Sequence, residues 1–181
     1  GRLRIPLLRD PVAPPEAEVL LMECTYGDKP HLAPEQASAG LQQVLRRTFE
    51  RRGKVIIPAF AIGRTQLLVY TLHQMIDAGD LPRVPVYVDS PLATNATEIF
   101  RRHPEDFDDQ AVRFLKEDPH GRLFGFDLLT FTKSVEESKA INDHKGPLVI
   151  LSASGMAETG RILHHLRNNL GDPRNTVLIT S

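Results

Sequence analysis

The chain of 181 residues has one cysteine, Cys24, and no tryptophan. A lone thiol excludes an internal disulfide and a cysteine-based zinc cage, and it suits a reducing compartment, the cytoplasm. No apolar run approaches the ~18 residues of a membrane-spanning helix, so no membrane partner is expected. The stretch Gly1 to Arg9 alternates basic and apolar side chains but lacks the apolar core of a signal peptide. Neither sign of charge is in excess: 22 Lys and Arg face 23 Asp and Glu, a net charge of −1. That balance excludes a global pull on nucleic acid and leaves only local contacts. Neither G-x-x-x-x-G-K-[ST] nor G-x-G-x-x-G occurs, which counts against a nucleotide-dependent ATPase or a dehydrogenase, and H-E-x-x-H does not occur either.

What is there reads as a globular domain with a core of its own, 41% hydrophobic and 25% charged. The first stretch carries Pro6, Pro11, Pro14 and Pro15 and reads as an extended arm. Val19 to Met22 is a strand candidate. Apolar runs then alternate with helical patterns. Strands are expected at 54–60, 84–88, 129–132, 147–151 and 176–180, and helices at 34–52, 63–78, 91–102, 107–116, 134–142 and 155–170. Ser134 with Glu137 forms a capping-box pattern at one helix start. The Pro104 to Phe126 region lacks clear alternation and reads as a surface excursion. Alternation of this kind implies an α/β fold, a mostly parallel sheet with helices on both faces.

In such sheets ligands bind beyond the carboxyl ends of the strands. The residues there are Glu23, Cys24 and Thr25; Phe60, Gly63 and Arg64; Asp89, Ser90 and Pro91; Thr132 and Ser134; Ser152, Ser154 and Gly155; and Ser181. Hydroxyls and glycines that open helices offer free N–H groups to an anion, so the edge has the composition of a phosphate-binding rim. The same residues also serve as ordinary helix caps. His164 and His165 are adjacent and cannot share a helix face, so one is expected packed and the other exposed. His73 lies mid-helix, and His103, His120 and His144 fall in loops. No histidine spacing completes a metal site. Arg46, Arg47, Arg51, Arg52 and Lys54 gather at a helix end, where a solvated terminus is favoured over an RNA-tracking patch. Phe60 is expected in the core rather than as a base-stacking platform.

Five segments in order, "MECTYGDKPH" (22–31), "VIIPAFAIGRTQLLV" (55–69), "VYVDSPLA" (86–93), "FTKSVEESKAIN" (131–142) and "VILSASGMAETGRILHHL" (149–166), resemble the β-CASP region of metallo-β-lactamase-type RNA nucleases. The nearest resemblance is to the bacterial RNA exonuclease branch, related to the mRNA 3′-end processing endonuclease. It implies a Rossmann-like three-layer β-CASP domain over residues 23–181, with residues 1–22 an arm and strand left from the metallo-β-lactamase domain. In that family the β-CASP domain closes as a lid over two zinc ions held by an H-x-H-x-D-H motif, which this sequence lacks. The chain therefore resembles the lid of a zinc-dependent ribonuclease, itself inactive and without a metal of its own. Its expected partners are single-stranded RNA, the metallo-β-lactamase domain of the same parent chain, and a second copy in a homodimer.

The resemblance assigns Glu23 to orienting a metal-ligand histidine. It assigns Gly63, Arg64, Asp89, Ser90, Ser152, Ser154 and Gly155 to substrate contact, with the 152–155 turn holding an RNA phosphate on a helix N-terminus. Cys24 stands where the family often has serine. Two alternatives remain beside this reading. One is a non-catalytic module for RNA binding or dimerisation. The other is an independent enzyme acting on small phosphate esters through Asp89.

Overall fold

A computed structural model describes residues 3–119 and 121–180. Gly1, Arg2, His120 and Ser181, each of which carried a sequence reading, lie outside them. Helix α1 (Pro34–Glu50) leads into strand β1 (Lys54–Pro58), and α2 (Arg64–Asp77) returns to β2 (Val86–Asp89). Helices α3 (Pro91–Arg102) and α4 (Asp109–Glu117) precede β3 (Leu129–Phe131). Helix α5 (Val135–Asp143), β4 (Leu148–Ser152), α6 (Ile162–Asn169) and β5 (Thr176–Val177) complete the chain. The strands form one sheet of order β3-β2-β4-β1-β5, and every pairing is parallel.

The sheet's side-chain alternation divides the core into two layers. Val55, Ile57, Val86, Val88, Val149 and Leu151 point to the layer filled by Leu45, Leu68, Leu72 and Ala111 of α1, α2 and α4. Ile56, Leu148 and Ile150 point to the other, against Ile141 of α5 and Ile162 of α6. A strand covered on both faces needs a nearly continuous apolar run, and "KVIIP" and "LVILS" supply it. The expected α/β architecture, helices on both faces of a parallel sheet, is what the chain forms.

Four readings need correction. Val19 to Met22 form no strand; their side chains stand in solvent. A strand needs an edge to pair with, and the arm meets the fold elsewhere, through buried Leu7 and a bridge from Leu8 to Phe107. The 104–126 region is not an excursion, because Phe107, Leu123 and Phe124 are buried in the first layer. Large apolar side chains outweigh the weak periodicity there. The last helix begins at Ile162, not at Gly155. Phe60 lies outside the core, 54% exposed.

Candidate functional site

Parallel strands bring all their carboxyl ends to one edge. At its centre β2 ends on Asp89, whose side chain is fully buried. Asp89 Oδ2 accepts a hydrogen bond from Ser138 Oγ at 2.6 Å and lies 2.6 Å from His165 Nε2. An ionised carboxylate only accepts, so that nitrogen carries the proton. Asp89 Oδ1 accepts from Arg161 Nη1 at 2.7 Å and from Thr132 Oγ1. The Asp89 peptide oxygen accepts from Ser152 Oγ at 2.8 Å. Arg161 Nη2 also donates to the Lys133 carbonyl at 3.0 Å.

Burial by itself would raise the Asp89 pKa. The hydrogen bonds from His165, Ser138, Thr132 and Arg161 outweigh it and hold the carboxyl well below the usual carboxylate range. Through its carboxylate Asp89 thus ties the end of β2 to the residue after β3 and to the starts of α5 and α6, and through its peptide oxygen to the end of β4. Ser138 and Arg161 escaped the sequence reading, which placed Thr132 at a strand end and treated His165 only as one of an adjacent pair. The one signal that joins Arg161 to His165 is their spacing, which puts both side chains on one helix face. His165 is buried and His164 exposed, as the ban on a shared face requires.

Ser90 caps α3, its Oγ accepting the Ala93 N–H at 3.2 Å, and like Ser152 it is buried. Asp89, Ser90 and Ser152 therefore lie together beneath the edge, with their polar groups engaged inside the chain. Gly63 opens α2 at φ +80°, a conformation that a residue with a Cβ rarely adopts, and its N–H donates to Gln66 Oε1 at 2.7 Å. Arg64 follows as the first residue of α2, half-buried, and among the described residues its guanidinium has no hydrogen-bond or ion-pair partner. Among the described residues the buried Ser154 Oγ has no hydrogen-bond partner. Gly155 lies against Phe60; a Cβ there would come within 2.9 Å of the ring and 3.0 Å of the Phe60 nitrogen. Only glycine lets the loops after β1 and β4 meet this closely. Residues 153–161 form an irregular turn, so the 152–155 segment does not open a helix.

Around the buried centre the edge is apolar. Phe60 and Ile62 follow β1, Leu92 follows β2, Val135 follows β3, Met156 follows β4 and Ile179 follows β5, each more than half exposed. Glu23 stands apart in the exposed arm. Its carboxylate accepts the Thr25 N–H at 2.8 Å, which lowers its pKa. The basic cluster lies at the sheet's other end. Arg46 Nε bonds the Asp80 carbonyl at 2.7 Å, Arg51 reaches Thr176 Oγ1 at 2.9 Å, and Arg52 and Lys54 line a cavity of about 580 Å³ with Lys145 and Arg174. Burial lowers the Lys54 pKa.

Among the described residues no helix is long and apolar enough to cross a membrane. Residues 65–181 match the model of the Beta-Casp domain family. The chain is 39% identical over 173 residues to Ribonuclease TTHA0252 of Thermus thermophilus, covering 95% of this chain and 39% of that protein. It is 33% identical over 175 residues to Transcription termination factor FttA of Lokiarchaeum sp., covering 92% of this chain and 26% of that protein. It is 32% identical over 171 residues to Endoribonuclease ysh1 of Schizosaccharomyces pombe, covering 93% of this chain and 22% of that protein. The chain thus spans well under half the length of these relatives.

Proposed function

The chain belongs to the Beta-Casp family, and on that premise we propose that it is the RNA-binding lid of a ribonuclease that hydrolyses phosphodiesters. The observation that carries the reading is the carboxyl edge, where each of five strands is followed by a large exposed apolar side chain. A folded domain rarely leaves such an edge to water unless it faces a partner or a ligand. In this reading the edge faces single-stranded RNA and the metallo-β-lactamase domain of the parent chain, in a cytoplasmic enzyme.

Arg64 is the cation available for a phosphate, and the exposed Phe60 ring is available to stack on a base. The turns at Gly63 and at 154–155 shape the rim. Asp89, Ser90 and Ser152 hold the rim from beneath. In this reading Glu23, in the arm, orients a metal-ligand histidine of the parent enzyme. Two zinc ions are expected there, but this sequence has no H-x-H-x-D-H motif and the carboxyl edge presents no histidine cluster among the described residues. The residues present do not fit that group. The alternative, a module that binds RNA or dimerises without any catalytic partner, predicts the same edge but a parent protein that never cleaves.

The test is fluorescence anisotropy of a labelled single-stranded RNA with this chain, across salt concentrations. Binding should weaken as salt rises. Arg64→Ala should leave the melting temperature unchanged and reduce the log–log salt slope by about 0.7, the value for one phosphate contact on a single strand. The isolated chain should leave the RNA intact, and the parent enzyme should cut it in a chelator-sensitive way. Unchanged affinity and slope in Arg64→Ala would remove the rim from the proposal.

A further inference from the structure

Near the far end of α2, away from the carboxyl edge, three side chains of metal-ligand type converge. His73 is buried on α2, with the Phe114 ring edge-on at 4.9 Å and the Phe126 ring stacked at 5.0 Å between centroids. Its Nδ1 lies 3.1 Å from the Leu123 carbonyl oxygen. A carbonyl only accepts, so Nδ1 carries the proton and Nε2 is the lone-pair nitrogen of the neutral ring. That nitrogen faces two carboxylates. Asp77 Oδ2, one helical turn on, lies at 3.6 Å, and Asp118 Oδ1, just past α4, at 3.7 Å. The three ligand atoms all lie within 4.8 Å of one another.

The distances discriminate between a hydrogen-bonded ion pair and a cation cage. A protonated imidazole donating to a carboxylate sits about 2.7–2.9 Å from it. Neither oxygen comes so near, and the nitrogen is almost equidistant from both. Around tetrahedral zinc, bonds of about 2.0 Å place neighbouring donors roughly 3.3 Å apart. The two nitrogen–oxygen spacings exceed that by a few tenths of an ångström. The far ring nitrogen donating to a backbone carbonyl is also how metal-bound histidines are held. The Arg122 N–H donates to Asp118 Oδ2 at 2.7 Å, which fixes that carboxylate. Asp118's side chain is 4% exposed and Asp77's is 47%, so the cluster is enclosed on one side and open on the other. The contrast is the exposed group His103, Glu105 and Asp106, where His103 Nδ1 already sits 2.8 Å from Glu105 Oε1 at ordinary hydrogen-bond distance.

We propose that His73, Asp77 and Asp118 form a binding site for a divalent transition metal, zinc first, through one imidazole nitrogen and two carboxylate oxygens, with water completing the shell. The ion would clamp α2 to Asp118 at the end of α4, shortly before Leu123 and Phe124 enter the core. Its role is structural, since binding to the folded chain stabilises it by mass action.

The test uses the 181-residue chain as a Cys24→Ser variant, so that the exposed thiol does not compete. The chain is stripped with chelator and titrated with zinc chloride by calorimetry and by thermal melting. One zinc per chain should bind, and at about 100 times Kd the melting temperature should rise by roughly 5–10 °C. Asp77→Asn and Asp118→Asn should each weaken zinc by about tenfold or more. Asp77 is half exposed, so its variant tests the site without threatening the fold. Glu105→Gln should leave affinity unchanged. No response to zinc or manganese, or a response that Asp77→Asn leaves intact, would overturn the site.

Discussion

Asp89 shows how much one side chain can hold. Its carboxylate is dehydrated, and its stability rests on four donors from three separate segments. Asp89→Asn keeps the shape but removes the charge facing Arg161 and His165. Breaking a buried pair on one side costs about 3–5 kcal/mol. Urea unfolding at neutral pH should therefore show a loss of that order in the variant. The pH dependence follows from the depressed pKa. A carboxyl whose folded pKa lies below its unfolded value contributes stability above the unfolded pKa, near 3.9, and loses it as pH falls through the lower folded value. Wild-type stability should decline as pH drops below about 4, and the Asp89→Asn variant should show a shallower decline over the same range. Equal slopes in the two proteins would mean that Asp89 is not the group that titrates.

Among the elements, α5 was the most readable in the sequence. Ser134 Oγ accepts the Glu137 N–H at 3.0 Å, and Glu137 Oε2 accepts the N–H of Ser134 at 3.0 Å and of Lys133 at 2.6 Å. Ser134→Ala should cost about 1 kcal/mol and lower the melting temperature by roughly 2–4 °C, measured by circular dichroism. The apolar runs of β1 and β4 were equally legible, because a strand buried on both faces admits little else. The 153–161 turn was not. "SGMAETGR" offers a helical composition, but tertiary contacts decide it: the Ala153 carbonyl accepts the Ile162 N–H at 3.3 Å, and Gly155 lies against Phe60. Phe60 itself was misplaced because an apolar residue closing an apolar run gives no sign that the chain has left the core. The site was legible as an edge but not as a network. Asp89 and Ser152 could be placed at strand ends, yet their inward direction depends on Arg161 and His165 arriving from a helix far along the chain.

At the scale of the whole molecule, the chain carries large apolar side chains at the carboxyl edge and along Val19 to Met22 that its own core does not use. A lone apolar residue in water is unremarkable, but a set of them gathered at one end of a parallel sheet favours association. In the isolated chain the cheapest way to cover that edge is a second copy. Sedimentation of the isolated chain should show weak, concentration-dependent self-association. Ile62 and Met156 are 65% and 66% exposed, so Ile62→Gln with Met156→Gln should shift stability by no more than about 0.5 kcal/mol per site. The same pair should shift the sedimentation profile toward monomer. If association persists in the double variant while Leu20→Gln with Leu21→Gln abolishes it, the sticky surface is the arm and not the edge. The apolar rim would then be a surface that faces RNA or the parent's other domain without pairing with itself, because an apolar patch can be matched to a different partner.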